Sequence, residues 1–266
     1  MLLTLLIFLL IGGTAGFFAG LFGIGAGILM VPALHEIFLA RQWSADIALR
    51  LALGTSMAAI VFSSVFSLRA HHRHRAVLWA VVIAITPGIV IGTLAGSLLA
   101  NALPTHMLAM FFIAFLIFIA IQMALDLRPL PRRTLPGSLS LTAVGSGIGL
   151  VMSLIAGGGG VLSVPYLIWC NIDLKKAIGT AAAIGLPIAL SGTLGYVMTG
   201  WSSPDLPDWS LGYLYLPALP AIVAASSVTA PLGANLAHRL PSRPLKRAFA
   251  ALLLLVAARM IFKLIG

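Results

Sequence analysis

One glycine-rich stretch occurs twice in this chain and limits what the chain can fold into. The sequence GFFAGLFGIGAGILMVPAL spans Gly16–Leu34, and GLVMSLIAGGGGVLSVPYL spans Gly149–Leu167, 133 positions later. In both copies small residues recur along a hydrophobic approach, a glycine cluster interrupts it, and an apolar run containing Val-Pro follows. Glycine in an apolar helix serves either close helix packing or a break that leaves backbone groups free. We therefore expect one structural unit that is used twice.

The composition places both copies in a membrane. Of the 266 residues 61% are hydrophobic and 8% are charged, whereas soluble domains carry about 25% charged residues. Apolar runs long enough to span a bilayer are numerous, and the alternating pattern of a transmembrane barrel is absent. The sequence predicts an all-α integral membrane protein. Helix breaks at membrane depth occur only where protein or a water-filled cavity surrounds them, so the two breaks are the candidate site.

The predicted elements follow the same order in both halves. Each half has a helix broken by glycines, a short re-entrant piece that returns to its own side, and three full spans. The predicted segments are 2–22, 28–40, 51–68, 77–100 and 107–125, then 139–156, 161–171, a span containing Gly179–Ala181, 212–236 and 245–264. This division predicts a first transmembrane repeat over 1–127, a basic proline-rich cytoplasmic linker over 128–138, and a second transmembrane repeat over 139–266.

The charges predict that the two structural repeats are inverted. With three full spans per half, one face receives twelve of the sixteen lysines and arginines: Arg69, Arg73, Arg75, Arg128, Arg132, Arg133, Lys175, Lys176, Arg239, Arg243, Lys246 and Arg247. Four full spans per half would put loops 69–75 and 239–247 on opposite faces. Because basic loops stay in the cytoplasm, we expect an inner (plasma) membrane protein with both termini extracytoplasmic. We expect the basic loops to contact anionic lipid head groups, and His71, His72 and His74 to bind no metal.

The candidate site combines backbone groups with small hydroxyls. A helix N-terminus carries partial positive charge and free N–H groups, and glycine lets an anion approach them closely. Hydroxyls stand at matching places in Gly54–Ser56 and Gly179–Ala181, where they either donate to an oxyanion or bond to their own helix. The predicted substrate-binding residues are Gly23, Gly25, Ala26, Gly27, Thr55, Ser56, Gly157, Gly158, Gly159, Gly160 and Thr180.

One basic residue, Arg259, lies inside a predicted span, seven residues from the end of the sequence. We expect its side chain to reach outward to the membrane surface and not to bind the substrate. We expect no acidic partner for it deep within a span, since Glu36 and Asp126 lie near the ends of elements. Metalloprotease motifs, nucleotide-binding loops and paired acids are absent, which argues against an enzyme. The sequence accordingly predicts no cofactor, no metal and no nucleic-acid partner.

The doubled motif resembles that of the TauE/SafE sulfite exporter (TSUP) family of membrane anion permeases. The residues that carry the resemblance are Gly16, Gly20, Gly23, Gly25, Gly27, Val31 and Pro32, then Gly149, Ser153, Gly158, Gly159, Gly160, Val164 and Pro165, with the two Gly-Thr pairs. The chain departs from the family pattern at Ala26, and at Ala156 where the first copy has Gly23.

The resemblance implies a secondary transporter, a permease or exporter of small sulfur-containing anions such as sulfite, thiosulfate or organosulfonates. The residues by themselves indicate only a small anion as substrate and alternating access around the breaks. A passive anion channel and a non-transporting membrane scaffold are the alternatives. A coupling ion, proton or sodium, and the oligomeric state are left open.

Overall fold

The computed structural model of the chain describes residues 2–22, 25–125, 133–237 and 242–265. The α-helices in this part of the chain are α1 (Leu2–Phe22), α2 (Gly27–Ala40), α3 (Ala45–Arg73), α4 (Trp79–Ala102), α5 (Thr105–Ala124), α6 (Ser138–Leu154), α7 (Gly160–Trp169), α8 (Leu174–Gly200), α9 (Leu219–Ala237) and α10 (Ser242–Ile265). Two short strands, β1 (Ser210–Leu211) and β2 (Leu214–Tyr215), and a 3-10 turn at Leu216–Ala218 connect α8 to α9.

Six stretches of the described residues are long and apolar enough to cross a membrane. They lie in α1, α3, α4, α5 and α8, and in Leu216–Gly233, which includes most of α9. Large apolar side chains such as Leu10, Ile83 and Met198 are exposed on these helices, as expected where the surrounding solvent is lipid. The chain is therefore a multi-pass membrane protein built almost entirely of α-helices.

Both glycine clusters interrupt their helices as predicted. The helix α1 ends at Phe22 and α2 begins at Gly27, while α6 ends at Leu154 and α7 begins at Gly160. The second helix of each pair is short, with 14 residues in α2 and 10 in α7. At 1.5 Å per residue these helices are about 21 and 15 Å long, against a hydrocarbon core of about 30 Å. Neither is long enough to cross the bilayer by itself.

Glycines on α1 and α6 allow each helix to pack closely on a helix of the other half. A Cβ atom added to Gly16 of α1 would lie 2.6 Å from the Cα of Ser226 on α9. A Cβ atom added to Gly149 of α6 would lie 2.7 Å from the Oγ1 of Thr93 on α4. Thr93 and Ser226 are themselves 133 positions apart, so the same contact is made twice. At these positions glycine serves helix packing, the first of its two roles.

The centre of the molecule is formed by α3 and α8, which pack against each other. Every residue of α3 from Ala48 to Ile60 is buried. The short helices lie against this pair, α2 on α3 and α7 on α8. Residues 26–27 of the first break and 156–159 of the second are buried in protein, as non-helical backbone at membrane depth requires.

The predicted span over 212–236 is wrong at its beginning. Residues 210–215 form an antiparallel hairpin, in which Ser210 pairs with Tyr215 and Leu211 with Leu214, and α9 begins only at Leu219. Gly212 has a φ of +55°, a left-handed conformation that glycine adopts at low cost in a tight turn. Hydropathy does not reveal this hairpin because the segment LGYLYLPAL, 211–219, is as apolar as the helix that follows it.

Candidate functional site

The two glycine breaks are in direct contact. Gly25 has a φ of +87°, and a Cβ atom added to it would lie 2.8 Å from the backbone nitrogen of Gly158. A Cβ atom added to Gly27 would overlap the carbonyl oxygen of Ala156. Backbone therefore meets backbone with no side chain between the two breaks. Gly25 and Gly158, both among the residues predicted for the site, thus lie in contact; Gly23 lies outside the described residues.

The second break is buried and braced from two sides. Residues 157–159 are all buried, and Ala156 adopts a φ of +47°. A Cβ atom added to Gly159 would lie 2.6 Å from the backbone nitrogen of Gly185 on α8. The buried hydroxyl of Tyr196, also on α8, donates a hydrogen bond of 2.9 Å to the carbonyl oxygen of Ser153, in the last turn of α6. The backbone in this break is thus held rigidly by α8.

The helices that follow the breaks begin without side-chain caps. Ala26 precedes α2 and Gly159 precedes α7, and neither supplies a side-chain hydrogen bond to the first turn. The first N–H groups of an α-helix have no partner within the helix, and they concentrate the positive end of its dipole. Two such helix starts, at Gly27 and Gly160, therefore flank the contact between the breaks. Their chemistry suits a small anion.

Thr55 and Thr180 have matching hydrogen bonds in the two halves. The Oγ1 of Thr55 accepts a bond of 3.0 Å from the backbone N–H of Tyr215, the residue before the 3-10 turn that leads into α9. The Oγ1 of Thr180 accepts a bond of 3.0 Å from the backbone N–H of Leu78, the residue before α4. Each threonine thus holds the start of a helix in the other half. The hydroxyl protons remain as donors.

Four buried hydroxyls, by contrast, have no hydrogen-bond partner in the described part of the chain. One belongs to Ser210 in β1, and the other three belong to fully buried residues: Ser56 on α3, Thr93 on α4 and Ser163 in the first turns of α7. Leaving such a group unpaired costs about 1–3 kcal/mol, so these hydroxyls are candidate ligand donors. Ser56 is among the residues predicted from sequence, whereas Thr93 and Ser163 are not. Ser163 was missed although it follows the second glycine cluster by only three residues.

We expect Thr55→Val and Thr180→Val to destabilise the protein. Valine keeps the shape of threonine but leaves the N–H of Tyr215 or Leu78 without an acceptor, so the free energy of unfolding should fall by about 1–3 kcal/mol. Thermal unfolding in detergent measures this as a lower Tm. Ser63→Ala is the matched control, because the hydroxyl of Ser63 bonds only to the carbonyl of Ile60 in its own helix. Valine variants with the Tm of this control would contradict the role of the two threonines as caps.

The acidic partner of Arg259 is a carboxylate near the end of a helix and not one deep within a span. Its guanidinium lies 2.8 Å from the carboxylate of Glu36 on α2, and the Nζ of Lys263 lies 2.7 Å from the same oxygen. The side chain of Arg259 is still 65% exposed, in keeping with the outward direction predicted for it. Glu36 lies near the C-terminal end of α2 and is 223 residues from Arg259 in sequence. These ion pairs tether the short helix α2 to α10.

We expect Arg259→Lys to retain most of the transport activity of the parent, because a lysine keeps the positive charge near Glu36 and Lys263 already pairs with it. Glu36→Gln removes the anion that both cations contact, so it should lower the Tm more than Arg259→Lys does. The loss should not exceed about 1 kcal/mol, since both cations are largely exposed. Loss of transport in a well-folded Arg259→Lys variant would instead indicate bidentate anion binding by Arg259.

Arg50 is a buried cation whose burial was not predicted from the sequence. It is 6% exposed, pairs with Asp46 one turn earlier in α3, and donates to carbonyl oxygens of Asn101 and Leu103, both at 3.1 Å, at the end of α4. The spacing of four residues between Asp46 and Arg50 could have indicated an ion pair on one face of a helix. Because the carboxylate and the carbonyls already satisfy the guanidinium, Arg50 joins α3 to the end of α4 and is not a free anion ligand.

Comparison of the sequence with known proteins places the chain in a family of membrane transporters. The model of the family described as "Sulfite exporter TauE/SafE" matches residues 8–260. A "Probable membrane transporter protein" of Haemophilus influenzae is 35% identical over 261 residues, which cover 97% of this chain and 98% of the relative. Proteins described in the same words from Methanocaldococcus jannaschii and Bacillus subtilis (YdhB) are each 24% identical, over 81% and 76% of this chain and 80% of each relative. No solved structure matches the chain significantly.

Proposed function

Because the chain belongs to the TauE/SafE sulfite exporter family, we propose that it is a secondary transporter of small sulfur-containing anions such as sulfite, thiosulfate or organosulfonates. Membership of this family of membrane transporters implies a small-molecule substrate. The proposed activity is transport and not catalysis. The proposed substrate class goes beyond the family name, and it is supported by a site whose chemistry suits small anions.

The observation that carries the proposal is the meeting of the two breaks between two uncapped helix starts. We place the substrate between the backbone at Gly25–Gly27 and that at Gly157–Gly160, with hydroxyls donating to it from the neighbouring helices α3, α7 and α8. Ser56 and Ser163 are buried and unpaired, so each can donate without first breaking a hydrogen bond within the protein. An anion in a medium of low dielectric constant needs such donors, because unpaired charge is very costly there.

Alternating access is proposed around this contact. In the structure the breaks are closed on each other, so an anion can enter only if they separate. The contact of Gly16 with Ser226 and that of Gly149 with Thr93 support two equivalent repeats, over 1–127 and 139–266, joined by the linker 128–138. An odd number of full spans in each repeat would make the two repeats inverted, a common architecture of secondary transporters. Opening towards one side or the other would then use equivalent movements of the two halves.

Uptake by proteoliposomes tests the proposed function. We expect saturable uptake of radiolabelled sulfite, thiosulfate or a short alkanesulfonate into liposomes that contain the purified protein, and none into empty liposomes. Imposed proton and sodium gradients identify the coupling ion by the gradient that drives accumulation. Conductance without saturation or coupling would favour a passive anion channel. The absence of flux for every anion, with well-folded protein in the bilayer, would favour a membrane scaffold.

We propose that the basic segments 69–75, 128–137 and 239–247 face the cytoplasm, where they contact anionic lipids, and that both termini are extracytoplasmic, in the inner membrane. The structure places 69–73 at the end of α3 and 242–247 at the start of α10, and residues 128–132 and 239–241 lie outside its described part. Single cysteines at Arg73 and Pro207 test this orientation in a Cys170→Ala background, which removes the buried native thiol. An impermeant thiol reagent added to intact cells should label the cysteine at Pro207 and leave that at Arg73 unmodified. The reverse pattern would contradict the proposed orientation.

A further inference from the structure

A cleft of about 480 Å³ lies beside the hairpin of β1 and β2. Its walls come from three parts of the chain: the turn after α2, the loop before β1, and β2. The residues that line it are Trp43, Leu206, Pro207, Asp208, Trp209 and Tyr215. Three aromatic rings and one carboxylate therefore surround a space large enough for a small solute.

One charged residue lines this cleft, and a residue of opposite charge packs against two of its aromatic walls. Asp208 lines the cleft and forms no salt bridge with any described residue. Arg41 does not line the cleft itself, but its guanidinium carbon lies 5.4 Å from the ring centroids of Trp43 and Tyr215, which do. Arg41 donates a hydrogen bond of 2.7 Å to the hydroxyl of Tyr215, and no carboxylate in the described residues pairs with it. A guanidinium has five N–H groups, so most of its donors remain available.

From these unpaired charges we propose that the cleft binds a small zwitterionic solute that carries an organic ammonium group and an acidic group. The ammonium group lies at Asp208 and Trp209, where carboxylate and indole both attract a cation. The acidic group lies towards Arg41, on the side of Trp43 and Tyr215. A simple cation would be repelled by Arg41, and a simple anion by Asp208. Only a solute with both charges suits both residues.

The walls of the cleft are formed before any ligand binds. Tyr215 is fixed by the hydrogen bond from its N–H to Thr55 and by ring contacts with Trp43 and Phe38, at 5.2 and 5.6 Å between centroids. Trp209 has a φ of +64° although it is not glycine, and its side chain is 78% exposed. Its carbonyl oxygen accepts a hydrogen bond of 3.2 Å from the N–H of Leu216. Strained backbone around a large exposed ring is characteristic of ligand clamps.

Calorimetric titration of the purified protein in detergent tests the proposal with glycine betaine as the probe. Two analogues each remove one charge: 3,3-dimethylbutanoate replaces the ammonium nitrogen by carbon, and choline lacks the acidic group. We expect glycine betaine to bind about ten-fold more tightly than either analogue. Asp208→Asn should lower its affinity about ten-fold. Asp205→Asn is the matched control, because Asp205 is exposed in the same loop but does not line the cleft.

Equal affinities for glycine betaine and 3,3-dimethylbutanoate, or for glycine betaine and choline, would overturn the proposal. So would a failure of glycine betaine to bind, or equal affinities of the Asp208→Asn and Asp205→Asn variants. Both substitutions are in an exposed loop, and an unchanged Tm shows that each variant is folded. Because the readout is binding at the cleft, a negative result leaves the proposed transport of anions at the glycine breaks unaffected.

Discussion

Gly27→Ala should abolish anion uptake and markedly lower the Tm of the protein. The added methyl group would overlap the carbonyl oxygen of Ala156 and lie 2.9 Å from the Cδ1 of Ile60 on the other side. The oxygen belongs to the rigid backbone of the second break, so the two breaks must move apart. Over-packing of this kind costs about 1–3 kcal/mol or more, and it displaces the helix start that we propose faces the substrate. Thermal unfolding and proteoliposome uptake measure the two effects.

Gly147→Ala is the matched control for this substitution. Gly147 lies inside α6, and a Cβ atom added to it would meet nothing within 4 Å. Alanine has a higher helix propensity than glycine by about 1 kcal/mol, so this variant should transport like the parent and be equally or more stable. Normal uptake by a Gly27→Ala variant would show that the contact between the breaks can relax without consequence. The proposed mechanism would then be wrong.

Ser56→Ala and Ser163→Ala should weaken anion binding without destabilising the protein. Each removes a buried hydroxyl that has no partner, so the folded state loses no internal hydrogen bond and its Tm should stay the same or rise. If the hydroxyls donate to the anion, each loss should weaken binding by about 1.5–3 kcal/mol, the value of a hydrogen bond to a charged group. This corresponds to roughly 10- to 150-fold in the dissociation constant. Equilibrium binding of thiosulfate in detergent measures it.

Ser191→Ala provides the comparison for these two variants. The hydroxyl of Ser191 is also buried, but it already donates a hydrogen bond of 2.6 Å to the carbonyl oxygen of Pro187 in α8. Its removal should leave anion affinity unchanged. Unchanged affinity in both Ser56→Ala and Ser163→Ala, with the folded state intact, would remove these two hydroxyls from the proposed site and leave backbone N–H groups, Thr55 and Thr180 as its proposed donors.

Much of the fold follows from local patterns in the sequence. The ends of α1, α6 and the short helices agree with the predicted ones within a few residues, because glycine clusters and apolar runs act on the backbone where they occur. The repeated Gly-Thr pair, 125 positions apart in the two halves, also led to Thr55 and Thr180, which have equivalent hydrogen bonds in the structure. The family inferred from the doubled motif is confirmed by the match over residues 8–260. Binding of an anion at the breaks stays a prediction.

The hydrogen-bond partners of these residues could not be read from the sequence. The oxygen of Thr55 accepts a hydrogen bond from the N–H of Tyr215, 160 residues away. Tyr215 lies in a hairpin whose apolar composition led us to predict a helix there. The hydroxyls of Ser56 and Ser163 are buried without a hydrogen-bond partner, and this too depends on how the helices pack. No local pattern distinguishes an unpaired serine from one that bonds to its own helix, as Ser191 does.

Local patterns in the sequence are enough to predict that this chain enters a membrane, that it uses one broken-helix unit twice, and where each helix breaks, because hydropathy and glycine content act over short stretches of chain. The packing of the helices is needed to bring Gly25 against Gly158, to pair Glu36 with Arg259 and Lys263, and to place Arg41 against two rings of the cleft that Asp208 lines. These relations join residues far apart in sequence. They depend on how whole helices pack, and close approach and charge pairing are set by that packing and not by the neighbours of each residue along the chain.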